Sequence, residues 1–236
     1  MTLLCSWVLI IALVCSYGVT YAEFRDFTSP ARSSGKVSVI LSRLSSTSQF
    51  GGTTNSSGYG VKYIGNVGDP YGSNIIEVSE STANQYKYVL RFEGPVGGER
   101  WTVVIWNKIG PDGLLSGWYG QACRKFILKS GQFRYIAIDE NSQGGWAAAP
   151  EILYRSTLTV VTLLHGATIA AQNAGLPVQG MKICDILTGI CSFVTKDATL
   201  IHNAYISSLA EVGGIGGNLY PGPVRLAVTI GYDTAA

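Results

Sequence analysis

The feature that most limits the folds open to this chain is its punctuation. Glycine occurs 29 times in 236 residues, and between the glycine and proline clusters the apolar residues come in short runs that suit strands and not a helix-built core. Tyr86, Tyr88, Leu90 and Phe92 alternate with Lys87, Val89, Arg91 and Glu93. Val224, Leu226, Val228, Ile230 and Tyr232 alternate with Arg225, Ala227, Thr229 and Gly231 in the same way. Both stretches read as strands with one apolar face, and the unbroken apolar and aromatic run at 101–106 reads as a strand covered on both faces. Residues 126–128, 133–138, 178–184 and 190–194 are further strand candidates. Turn chemistry at 65–70, 110–113, 144–145 and 213–218 separates them. Helical spacing is confined to one short turn at 79–85 and a segment at 197–212, where Ile201, Ala204, Tyr205, Leu209 and Val212 recur every three or four positions. The pattern predicts an all-β fold, an antiparallel β-sandwich of jelly-roll type with one or two short helices.

Residues 1–22 carry no charge, hold an apolar run from Leu3 to Val14 and end in Thr20, Tyr21 and Ala22. This reads as a signal peptide cleaved after Ala22, since the apolar core falls short of the roughly 20 residues that a membrane span needs. The expectation is a secreted, extracellular protein with no membrane anchor after cleavage. Residues 23–50 form a Ser/Thr/Gly-rich lead segment, and 51–236 one β-rich domain. Asn55, followed by Ser56 and Ser57, is the glycosylation candidate. Cys5 and Cys15 leave with the signal, so Cys123, Cys184 and Cys191 remain. Cys184 and Cys191 flank a Thr188-Gly189 turn between apolar arms, an arrangement that suits a disulfide in an oxidising compartment. Cys123 then reads as a small buried hydrophobe.

Charge and histidine content narrow the chemistry. A formal charge of +2 with no basic run gives no footprint for nucleic acid. Two histidines, His165 and His202, leave no room for a His-rich metal centre in one chain. The glycines at 213–217 match neither dinucleotide nor Walker spacing. No cofactor, no metal and no catalytic residue is therefore expected. A secreted glycosidase, the rival reading, needs only two carboxylates. Its candidates are Asp112, Asp139, Glu140 and Asp185, each also explained as a turn-stabilising acid. The oxygen-bearing residues from Asp139 to Gln143 echo the start of a calcium loop, but Pro150 occupies the twelfth position, where a carboxylate is required. Aromatics in glycine-rich stretches give the remaining constellation. Trp118 and Tyr119 follow one turn and Trp146 follows Gly144 and Gly145, the kind of flat apolar faces that stack on sugar rings. These three residues are the candidate polysaccharide-binding site.

Several longer motifs carry a family resemblance. Trp106-Asn107-Lys108-Ile109-Gly110-Pro111-Asp112-Gly113, Gly117-Trp118-Tyr119-Gly120, Asp139-Glu140-Asn141-Ser142-Gln143-Gly144-Gly145-Trp146, and Pro221-Gly222-Pro223-Val224-Arg225-Leu226 resemble, in this order, the Asp f 4-like family of small secreted fungal proteins. The resemblance spans about residues 49–232. It implies an allergen-like protein that binds IgE, with no catalytic residues to carry over. Between Pro150 and Gln172 the chain departs from the family pattern with an apolar, Thr-rich segment. The reading that results is a non-catalytic fungal protein of the cell wall or surrounding medium that binds wall or host polysaccharide. A carbohydrate-active hydrolase and an effector that binds a host protein are the alternatives.

Overall fold

The computed structural model describes residues 50–59, 62–95, 97–150, 168–169, 179–196, 198–204, 217–219 and 221–233. The expected signal peptide, the lead segment up to residue 49, the departing stretch 151–167 and most of the glycine run at 213–217 lie outside them.

The expected all-β fold is present as two sheets facing each other across one core. The larger has seven strands in the order β1 (Ile75–Val78), β5 (Phe133–Ile138), β2 (Tyr88–Glu93), β12 (Val224–Ile230), β8 (Gln179–Asp185), β9 (Cys191–Lys196) and β10 (Ile201–His202). The smaller has the order β4 (Arg124–Leu128), β3 (Trp101–Asn107) and β6 (Gly144–Pro150). Two residues each of β7 (Thr168–Ile169) and β11 (Gly217–Asn218) pair separately. Neighbouring strands run antiparallel except β12, which lies parallel to β2 with Leu226 opposite Leu90 and Val228 opposite Phe92. The C-terminal strand thereby enters the middle of the sheet, and its period-two pattern alternates buried with half-exposed side chains along its whole length. Arg225 secures its start, donating from its guanidinium to the carbonyls of Tyr86 and Lys87 at 2.6 and 2.7 Å.

Phe92 joins the two layers. Its ring packs edge-on against Phe126 of β4 at 5.5 Å and Trp146 of β6 at 5.6 Å between centroids. Leu90, Ile136, Ile183 and Val228 from the large sheet meet Trp101, Val103, Ile105 and Leu128 from the small one in the same core. The 101–106 run is buried at Trp101, Val103 and Ile105 on the core side and at Trp106 on the other, while Thr102 and Val104 stay half-exposed. A second cluster, Val78, Ala83, Tyr86, Val89 and Ala137, backs the large sheet on its far face beneath helix α1 (Glu80–Ala83), the short turn expected at 79–85.

Two expectations are corrected. The helix placed at 197–212 does not form over its described part. Ala198 and Asn203 take positive φ angles of 55° and 46°, which no right-handed helix accommodates. Thr195 meanwhile closes the chain into a turn, donating from its amide to Leu200 and accepting Leu200 N–H on its hydroxyl at 2.8 Å. Residues 201–202 accordingly become β10, and 205–212 lie outside the described residues. Gly144 and Gly145, read as a turn, instead open strand β6. A Cβ on Gly144 would stand 2.1 Å from the Trp106 carbonyl, so glycine is required there for close strand approach.

Cys184 and Cys191 form the expected disulfide between directly opposed positions of β8 and β9. Asp185 completes the hairpin below it, accepting from the amide and hydroxyl of Thr188 at 3.0 and 2.7 Å.

The loops at one end of the sandwich are bound together by amides out of contact with water. Asn74 Nδ2 lies 2.8–2.9 Å from the Asn66 carbonyl, Asn107 Oδ1 and Ser142 Oγ. Asn107 Nδ2 donates to Asn74 Oδ1 and to the Val67 carbonyl. Asn66 Nδ2 donates to Asp139 Oδ2 at 2.8 Å, and its Oδ1 accepts from the amides of Gly68 and Thr54.

Two stability measurements follow. Asn74→Asp keeps the shape but replaces the donor by an acceptor facing the Asn66 carbonyl and Asn107 Oδ1, with only the Ser142 hydroxyl able to turn and donate, and urea unfolding should register a loss of about 3 kcal/mol. Replacing both Cys184 and Cys191 by Ala removes a loop constraint spanning a sequence separation of 7. Chain entropy puts that loss at about 2 kcal/mol, with the β-sheet circular dichroism spectrum retained because β8 also pairs with β12 over five positions.

Candidate ligand-binding surface

Residues 108–123 leave β3 and return to β4, and local chemistry ties them down at each step. Lys108 N–H donates to the Gln143 carbonyl at 2.8 Å, and its ammonium reaches Gln143 Oε1 at 2.8 Å. The turn that follows is closed by Gly113 N–H on the Gly110 carbonyl. Asp112 accepts inside it from Ser116 Oγ at 2.6 Å and the Leu114 amide at 2.9 Å, and these bonds hold its carboxyl below the usual range. Gly117 then passes so close to β3 that a Cβ would stand 1.8 Å from the Asn107 carbonyl. A 3-10 turn at Tyr119–Gln121 and the bond from Cys123 N–H to the Ile105 carbonyl at 2.7 Å bring the chain back to the sheet.

This tethered loop presents Trp118 and Tyr119 to solvent, 49% and 52% exposed, with ring centroids 4.7 Å apart and planes at 65°. Gly120 lies directly beneath the indole, where a Cβ would come within 2.4 Å of a ring carbon, so the Trp118 ring rests on bare backbone. Leu114, 65% exposed, extends the apolar surface of the same loop.

Of the three aromatic candidates the structure brings together only these two. Trp146 is 1% exposed, at a core position of β6 opposite Ile105, and offers no face to a ligand. Its place after two glycines suggests a loop, but those glycines belong to the strand, and period-two register turns the indole inward against Phe92.

The acidic candidates are engaged separately. Asp112 stabilises its own turn, and a depressed carboxyl pKa is the reverse of what a general acid requires. Asp139 binds Asn66, and Glu140 pairs with Lys87 at 3.1 Å. Asp185 caps the disulfide hairpin and accepts from Arg225 N–H at 3.3 Å. The side chains that would begin a calcium loop have protein partners: Asp139 has Asn66, Asn141 has Tyr63 and Ser56, and Gln143 has Lys108. Among the described residues no group of three or more His, Cys, Asp or Glu side chains could hold a metal ion. Cys123 is a free thiol that burial pushes up in pKa, which makes it a weak nucleophile. Tyr71 beside it is likewise raised by burial and by the thiol. Asn55 is exposed, as a glycosylation candidate must be.

Sequence reasoning missed the asparagines that position the loop. Asn107 offered a signal, a lone polar residue ending an apolar strand, but Asn66 and Asn74 sit among turn residues where asparagine is ordinary.

The model of the Allergen Asp f 4-like domain matches residues 73–161 and 166–230, a span that includes both the aromatic loop and β12. The protein named Allergen Asp f 4, from Aspergillus fumigatus, is 44% identical over 204 residues, an alignment that covers 79% of this chain and 63% of that protein. This chain thus spans less than two thirds of that relative's length. No solved structure matches. The family match and this identity, which rest on the same strands and loops that build the sandwich, place the chain in the Asp f 4-like allergen family.

Proposed function

We propose that this chain is a secreted, non-catalytic fungal protein that associates with cell-wall or other extracellular polysaccharide through Trp118 and Tyr119, and that IgE recognises it as an allergen. The observation that carries the binding reading is the half-exposed aromatic pair held on a glycine-anchored loop. Exposed aromatic surface costs solvation free energy unless a partner covers it, and a pre-ordered loop lowers the entropy lost on binding. Secretion is supported by the charge-free apolar leader and by a disulfide, which persists in oxidising compartments. The IgE reading is supported by the name and the 44% identity of the Aspergillus fumigatus relative.

The test is retention of the purified chain on insoluble chitin, β-glucan and cellulose, with released sugar assayed in the same tubes. Retention without sugar release is expected, and Trp118→Ala should weaken it by about 1–2 kcal/mol, roughly tenfold. Sugar release abolished by Asp139→Asn or Glu140→Gln would replace this reading with a hydrolase. Absence of both retention and release would turn the search to protein partners.

A further inference from the structure

The outward face of the large sheet carries a second arrangement that neither the aromatic loop nor the family match accounts for. Strand register places Ala227 of β12 between Arg91 of β2 and Cys184 of β8, and Thr229 between Glu93 and Lys182. These positions alternate with the buried Leu226, Val228 and Ile230, so they point away from the core. The centre of this face is therefore a trough floored by two small, partly exposed side chains. Its walls are strands that stand roughly 10 Å apart, two strand spacings.

Each wall bears a cation laid on an aromatic ring. The Arg91 guanidinium lies 5.2 Å from the centroid of Phe133, and the Lys182 ammonium 5.1 Å from that of Tyr232. Neither cation has a carboxylate partner among the described residues, whereas Lys87 and Arg134 of the same sheet region are paired with Glu140 and Glu77. Arg91 Nε is moreover shielded from solvent without a hydrogen-bond partner. The Lys182 wall continues outward, since Phe193 meets Tyr232 at 5.5 Å and stacks on His202 of the edge strand at 5.4 Å with planes 26° apart. The one carboxylate among these outward positions is Glu93, beside Phe133 in the β2–β5 register.

We infer that this trough is a second binding surface, for an acidic polysaccharide whose sugar rings lie against Tyr232, Phe193 and Phe133 while its carboxylates meet Lys182 and Arg91. Charge complementarity selects the ligand class: two unpaired cations held over aromatic faces match alternating apolar ring faces and anions. The position selects its form. In mid-sheet the backbone bonds of β2, β12 and β8 are already committed to their ladders, so an extended peptide cannot add as a strand and contact runs through side chains alone. Two cations with Glu93 between the aromatic ends are too few for a nucleic-acid backbone. The surface is independent of Trp118 and Tyr119.

The test measures binding of the full chain to immobilised polygalacturonate, with neutral β-glucan and polyglutamate in parallel and thermal melts on every variant. Retention on polygalacturonate that falls as salt rises is expected, weakened about tenfold or more in the Arg91→Gln/Lys182→Gln double variant. Thr229→Glu, which sets a carboxylate on the trough floor at an outward position, should weaken it as much while leaving the melt near wild type. Trp118→Ala should leave it unchanged. No retention of the wild-type chain on polygalacturonate would overturn the proposal, as would full retention in Thr229→Glu. Loss in Trp118→Ala would assign the anionic ligand to the loop instead. Equal retention on polyglutamate would replace the sugar with an acidic protein.

Discussion

Everything displayed at the loop end of this sandwich depends on amides that never meet water. A β-sandwich closes its core easily but leaves loop backbone at each end, and a buried carbonyl or amide without a partner costs about 1–3 kcal/mol. Here the partners are Asn66, Asn74 and Asn107, each at or near full burial. Asparagine is suited to the task because it carries two donors and an acceptor without charge, so burial requires no counter-ion. Asn107 ends the central strand of the small sheet, Asn74 stands immediately before the edge strand of the large one, and the bonds between them couple the two layers where aromatic packing stops. Asn66 adds the β5–β6 loop through Asp139. The aromatic loop begins at the next residue after Asn107, so its geometry is inherited from this network.

The same logic explains which parts of the molecule were legible in the sequence. Strands β8 and β12 follow apolar runs or period two, and burial alternates along them because one face meets the core. Strand β2 buries Val89 beneath α1 as well as Leu90 and Phe92, and β9 buries Ser192 and Thr195 while Phe193 stays half-exposed. The disulfide was legible because both cysteines sit at the feet of a short turn. Long-range contacts were not. The parallel placement of β12 beside β2 joins residues far apart in the chain, and no local signal encodes a neighbour. The glycines before Trp146 and those around Trp118 look alike as letters. In the first case glycine admits a close carbonyl within a strand, and in the second it lets a loop hug the strand end. Only register decides that one indole faces Phe92 and the other faces water. Within the described residues 198–204 the helical spacing failed for a related reason: three- and four-residue spacing counts apolar positions but is blind to Ala198 and Asn203, whose backbone is left-handed.

The large sheet is divided in surface chemistry as well as in burial. Beneath α1, the face of β1, β5 and β2 is closed by Tyr86, Val89, Ala137 and Val78, an apolar patch that stabilises the fold. Across β12 and β8 the same face turns small and cationic. A sheet stabilised only by its core needs no unpaired cations there, and Lys or Glu pairs would serve solubility equally well. Holding Arg91 and Lys182 over rings instead pre-orders their side chains, which lowers the rotamer entropy that a ligand would otherwise have to remove. The two surfaces of the molecule therefore share one design: an aromatic group made rigid by its own fold, the indole on bare glycine backbone at one site and the phenyl and phenol rings beneath cations at the other.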